Sequence, residues 1–148
     1  MPHFKTNTLW RDAHYYRHPE TGVFMPKYVL MLAVSPDASD ALTAVMTSKP
    51  NGLRENPPCQ LGNPRSGYFL GIPGRPLLKP TWVDFNSLVV QDILDFQRRY
   101  RDRVLNAEPL ELPVQLFCGL LRCVARSEDL SRRHHGWVLD ALDMFKES

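Results

Sequence analysis

Cysteine is scarce in this chain: Cys59, Cys118 and Cys123 are the three among 148 residues, an odd set with no CxxC pair. That count argues against a disulfide framework and for a reducing compartment. Long apolar runs are missing too. No stretch reaches the roughly 18 uninterrupted apolar residues of a membrane span, and the opening "MPHFKTNTLW" lacks the apolar core of a secretory signal. The expectation is a soluble, cytoplasmic protein that no membrane holds. Nor does one sign of charge dominate. Nine Lys/Arg stand against eight Asp/Glu on each side of Phe96, for a net charge of +2. With no basic tail, charge alone nominates no nucleic-acid partner, and any basic site has to be made by folding.

The sharp catalytic signatures are absent as well: there is no P-loop, GxGxxG, HExxH or GxSxG. His134 and His135 are adjacent, so on a helix they point about 100° apart and are poor joint zinc ligands. Beside Arg132 and Arg133 they read as a solvated helix face. Cys118 and Cys123 lie in apolar runs and read as core, and Cys59 has no histidine partner in sequence. No metal site is expected.

What is present is an ordinary globular composition, 43% apolar and 23% charged, in a length that suits a single domain over residues 1–148. "HYYRHPETG" reads as a strand ending in a turn at Pro19–Gly22. "KYVLMLAV" (27–34) and "ALTAVMTS" (41–48) read as buried strands around the polar loop "SPDASD", which predicts an antiparallel pair. Residues 49–66 hold four prolines, two glycines and three asparagines, and predict a long loop of the kind that is functional or disordered. Strands resume at "GYFLGI" (67–72) and "PTWVDFNSLVV" (80–90), where Trp82, Asp84 and Asn86 alternate with Val83 and Phe85 as if on a wet face. A helix is predicted from about 90 to 105, with Val90, Ile93, Leu94 and Phe96 as its apolar stripe; its first residues could instead extend the strand. "VQLFCGLLRCVA" (114–125) is either a last strand or a buried helix, Gly119 counting against the helix. Residues 127–147 form the clearest helix, with Ser127 as its expected cap. Strands first and helices mainly in the C-terminal third predict an α+β fold around a small, curled antiparallel sheet.

The remaining chemistry is a polar rim on that sheet. His14, Arg17 and His18 belong to the first segment, Lys27 opens the second, Thr47, Ser48 and Lys49 close the third, and Arg54 and Arg65 lie on the long loop. In an antiparallel pair, Lys27 falls at the same end as Thr47 and Ser48. A cation and hydroxyls there suit a phosphodiester, whose oxygens take charge and hydrogen bonds, while a histidine could move the proton. Tyr15, Tyr16, Phe24 and Trp82 are candidates to stack on unpaired bases, or else to pack a core or an interface. "RRYRDR" (98–103) reads as a solvated helix face before it reads as an RNA contact.

Residues 27–48, "KYVLMLAVSPDASDALTAVMTS", resemble the MazF/PemK (Kid-like) toxin family of bacterial toxin–antitoxin systems. A basic residue begins an apolar strand, and a polar hairpin leads to a second strand ending in Thr-Ser. "TWVDFNSLVVQD" (81–92) and "CGLLRCVARSEDLSRRHHGWVLDAL" (118–142) resemble the family's later strand and closing helix. The resemblance implies an SH3-like (CcdB/MazF-like) barrel, a homodimer, a cognate antitoxin, and cofactor-free, metal-independent cleavage of single-stranded RNA. Its catalytic basic residue falls on Lys27 and its catalytic hydroxyl on Thr47, with Ser48 beside it and His14 or His18 as proton carrier. Arg17, Lys49, Arg54, Arg65 and Trp82 become the expected RNA contacts. Where the family usually has arginine, Lys27 keeps the charge but not the planar two-point grip on phosphate. The homodimer is also suggested by the apolar segment 114–125, which has to be covered. The rival reading is a non-catalytic SH3-like module that binds nucleic acid or a protein segment through the same rim.

Overall fold

Two apolar runs joined by a polar turn set the centre of the molecule. In the computed structural model, which describes residues 4–62 and 64–146, they become β2 (Phe24–Val34) and β3 (Asp40–Thr47). They pair antiparallel from Tyr28↔Met46 to Val34↔Ala41. The turn is organised by Asp37, whose carboxylate accepts hydrogen bonds from the Ser35 and Ser39 hydroxyls at 2.8 and 2.7 Å. β1 (Thr8–Arg17) lies along β2, and the chain continues through β4 (Cys59–Gln60), β5 (Gly67–Gly71), β6 (Thr81–Asp84) and β7 (Val89–Asp92). Then come α1 (Ile93–Arg101), β8 (Leu105–Glu108), α2 (Val114–Ala125) and α3 (Arg132–Lys146). The sheet order is β4-β5-β6-β3-β2-β1-β8, with β7 paired to β3 beyond β6. The fold is α+β, and the described strands form an open path rather than a closed ring.

Alternation along the central strands divides their side chains between two cores. Leu30, Leu32, Leu42 and Ala44 pack with Phe117, Leu120 and Leu121 of α2 and Val138 and Leu142 of α3. Met31 and Ala41, on the other face, pack with Trp10, with Ile93 and Phe96 of α1, and with Leu105 of β8. Each of the leucine, isoleucine, valine, methionine and phenylalanine side chains among them contributes about 1.5–3 kcal/mol when fully buried.

Several local expectations change. The predicted helix over 90–105 is three elements, because Val89–Asp92 pair with β3 and the Asp92 carboxylate then caps α1 through the Leu94 and Asp95 amides. Leu94 is consequently 73% exposed, outside the core. Segment 114–125 is a helix despite Gly119, and it is covered by the sheet and α3 of the same chain. Its need for cover thus no longer argues for a dimer. The cap of the last helix is Ser131, which accepts from the His134 amide, while Ser127 makes a local turn with Asp129. The odd cysteine set also misled: Cys59 and Cys123 form a disulfide, leaving Cys118 free and buried.

The 49–66 loop is ordered by its own buried hub. Gln60 is 4% exposed; its carbonyl oxygen accepts from the Arg54 amide and Nε, and its amide donates to the Gly52 and Arg65 carbonyls. Leu53 plugs onto Gly67, where an added Cβ would come within 2.7 Å of the leucine methyls. The disulfide then ties the loop to α2.

Candidate functional site: a lysine-lined cleft at the end of the central strands

Where the β2–β3 ladder ends, the chain leaves a cleft of about 330 Å³. Pro26, Lys27, Tyr28, Met46, Thr47, Ser48 and Lys49 line its strand side. The β5–β6 connection supplies the facing wall with Pro76, Leu77, Leu78 and Lys79, and Thr81 completes it. The β2–β3 register explains the convergence. Tyr28 pairs with Met46, and one step further along each strand brings Lys27 beside Thr47. Ser48 and Lys49 follow directly as the chain turns away.

Thr47 has two local duties. Its hydroxyl oxygen accepts from the Lys49 amide at 3.1 Å, and its O–H points to the Lys49 carbonyl at a long 3.4 Å. It therefore ends the strand in a hydroxyl-capped turn and borders the cleft as well. The Lys27 ammonium stands 5.8 Å from the centre of the Tyr16 ring. Among the described residues no carboxylate pairs with Lys27, Lys49 or Lys79, and no carboxylate or imidazole lines the cleft. The site has positive charge and hydroxyls without internal neutralisation, the electrostatics of an anion site.

The other residues singled out in the sequence lie elsewhere. Past Asp12↔Lys27 the β1–β2 hairpin continues through an irregular register to Arg17↔Phe24. On this arm Phe24 stacks on His14 at 4.2 Å and lies under Arg17 at 4.5 Å. His18 accepts the Glu20 amide at Nδ1 in the hairpin turn. Burial, and secondarily the Asp12 carboxylate, pushes the Tyr15 phenol above its ordinary range. Arg54 and Arg65 serve the loop: Arg54 Nε donates to Gln60, and Arg65 forms an ion pair with Asp84 at 2.7 Å. Trp82 is 6% exposed and its indole N–H donates to the Arg54 carbonyl, so on the expected wet face it is packed, with no free ring face for a base, while Asp84 is half-buried and Asn86 exposed. In the "RRYRDR" stretch, Arg99 is bound to the buried Asp12.

Lys27, Thr47, Ser48 and Lys49 are thus brought together, while His14, His18, Arg17, Arg54, Arg65 and Trp82 stand apart from the cleft. The facing wall escaped the sequence reading because "PGRPLL" reads only as a turn. Two adjacent leucines followed by a lysine in so polar a connection were the available signal. The chain matches no protein-family model, no curated protein and no solved structure.

Proposed function

We propose that the protein is a toxin-like, metal-independent endoribonuclease that cleaves single-stranded RNA at this cleft. The reading is supported above all by one juxtaposition: an unneutralised lysine, Lys27, beside the strand-ending hydroxyl of Thr47. In the proposed step the RNA 2′-oxygen attacks the adjacent phosphorus, the bond to the 5′-oxygen breaks, and a 2′,3′-cyclic phosphate and a 5′-hydroxyl result. Lys27 balances the charge that grows on the phosphoryl oxygens. The Thr47 O–H can leave its 3.4 Å acceptor for a phosphoryl oxygen while the Lys49 amide keeps the turn closed. Ser48 and Lys49 hold the same group. The 2′ proton passes to water, and a water returns one to the departing 5′-oxygen, since His14, stacked on Phe24, stands apart from the cleft.

The SH3-like barrel, the homodimer, the cognate antitoxin and the cytoplasmic setting belong to the same proposal. No described helix is long and apolar enough to cross a membrane. With Cys59 and Cys123 paired, the cytoplasmic reading rests on the RNA substrate and not on cysteine usage.

A second reading is favoured by the absence of imidazole and carboxylate among the described residues that line the cleft. Without a proton carrier the same cleft is a binding site, and the protein a non-catalytic module for single-stranded RNA. Expression in bacteria separates the two. Growth arrest with shortened cellular RNA is expected of the nuclease, and unimpeded growth at a high level of folded protein rejects it.

A further inference from the structure

The cleft has two unlike walls. The strand side carries Lys27, Thr47, Ser48 and Lys49, and the β5–β6 connection presents Pro76, Leu77 and Leu78 and then Lys79. An anion alone would not need the second wall. Leu78 is 64% exposed although it belongs to a segment fixed at both ends. On one side Leu77, 9% exposed, is held in the core and bridged to Gly74 by reciprocal backbone hydrogen bonds of 3.1 and 2.5 Å. On the other, the buried Thr81 donates its hydroxyl to the Lys79 carbonyl at 2.8 Å. Leu78 and Lys79, between these anchors, are held at the cleft instead of being free to fold away. Keeping an exposed leucine and an unpaired lysine in fixed positions is what a binding wall requires.

From this we infer that the β5–β6 connection is the nucleotide-selecting wall of the cleft: Leu78 packs against one base of the bound RNA, and Lys79 holds a second phosphate, neighbouring the one at Lys27 and Thr47. The inference rests on the RNA reading of the cleft. Charge complementarity favours a polyphosphate chain as occupant, since among the described residues three lysines and no carboxylate border the space. A base is the apolar face that such a chain brings with it, and about 330 Å³ is at the lower end of small-ligand sites, the scale of one nucleotide unit. Lys79 is a binding residue in this scheme and takes no proton.

The test uses binding, so that it does not depend on cleavage. Short 2′-O-methyl oligomers of A, C or U, which have no free 2′-hydroxyl to attack, are titrated by fluorescence anisotropy over a range of salt against the full chain and its Lys79→Ala, Lys79→Arg and Leu78→Ala variants. Lys79→Ala is expected to weaken all three oligomers several-fold and to flatten the log affinity–log salt slope by roughly 0.7, the share of one single-strand phosphate. Lys79→Arg restores both. Leu78→Ala leaves the slope unchanged and narrows the preference among A, C and U. Both positions are exposed, so the variants keep the fold, and circular dichroism checks that they do. Variants with parental affinity, slope and preference overturn the inference even if the parent cuts RNA. A parent that binds with these signatures but does not cut supports the wall and removes the nuclease reading. A parent that binds none of the oligomers overturns both.

Discussion

Asp37 shows how far a single side chain sets local structure here. Hydrogen bonds from the Ser39 hydroxyl first, then the Ser35 hydroxyl and the Ser39 amide, hold its carboxyl down to about 2 from the ordinary 3.8. A depressed acid of this kind stabilises the fold above its unfolded value, and that stabilisation is lost as pH falls through the folded one. Asp37→Asn should therefore lower the melting temperature at neutral pH, and its deficit against the parent should close as pH drops from 3.8 toward about 2. A deficit that is the same at every pH would mean that the charge is not what matters. Gln60 acts in the same way inside the long loop. Replacing it with alanine strands the Arg54 amide and the Gly52 and Arg65 carbonyls, at a cost of about 1–3 kcal/mol in urea unfolding. Thr47 could be read from the sequence because it sits at a strand end that the hydrophobic pattern marks, and Lys27 because it opens the apolar run, although β2 itself begins at Phe24. Gln60 could not, since its partners are gathered only when the loop closes on itself.

At the scale of elements, local pattern was sufficient wherever an element depends on its own residues. β2, β3 and their turn follow from two apolar runs and a cluster of serines and aspartates. Boundaries went astray where distant pairing intervened, as when β3 drew Val89–Asp92 into the sheet and postponed α1 to Ile93. Helix α2 is the sharpest instance. Gly119 counts against a helix by propensity, yet the position is reserved for the Tyr68 hydroxyl, which would lie 2.5 Å from an added Cβ. Tyr68 is buried and its phenol pushed upward by desolvation, with Arg122 opposing, so the ring has little room to yield. Gly119→Ala gains up to about 1 kcal/mol of helix propensity and loses about 1–3 kcal/mol to overpacking. Net destabilisation is expected, and Tyr68→Phe should recover much of it in the double variant by removing the obstructing oxygen. Strict additivity of the two changes would show that no such contact exists.

For the whole molecule, the Cys59–Cys123 disulfide closes a 64-residue separation and fastens the long loop to α2. Thiol titration of the unfolded, unreduced protein should find one free thiol, Cys118. Reduction should cost about 2–4 kcal/mol, seen as a lower melting temperature, by releasing the loop in the unfolded chain. Three free thiols without reductant would restore the reducing-compartment reading. The loop contributes Lys49 directly to the cleft and buries Trp82 beneath Arg54. The central claim is that the end of β3 is a phosphodiester site and not merely the end of a strand. Its most direct measurement is cleavage of a long unstructured RNA, in the presence of a chelator, by the purified parent and by Lys27→Ala and Thr47→Ala proteins verified as folded by circular dichroism. The account predicts that the parent leaves 2′,3′-cyclic phosphate ends, that Thr47→Ala is slower by about a hundredfold, roughly 3 kcal/mol, and that Lys27→Ala loses at least as much. An inert parent, or folded variants that cut at the parental rate, would contradict it.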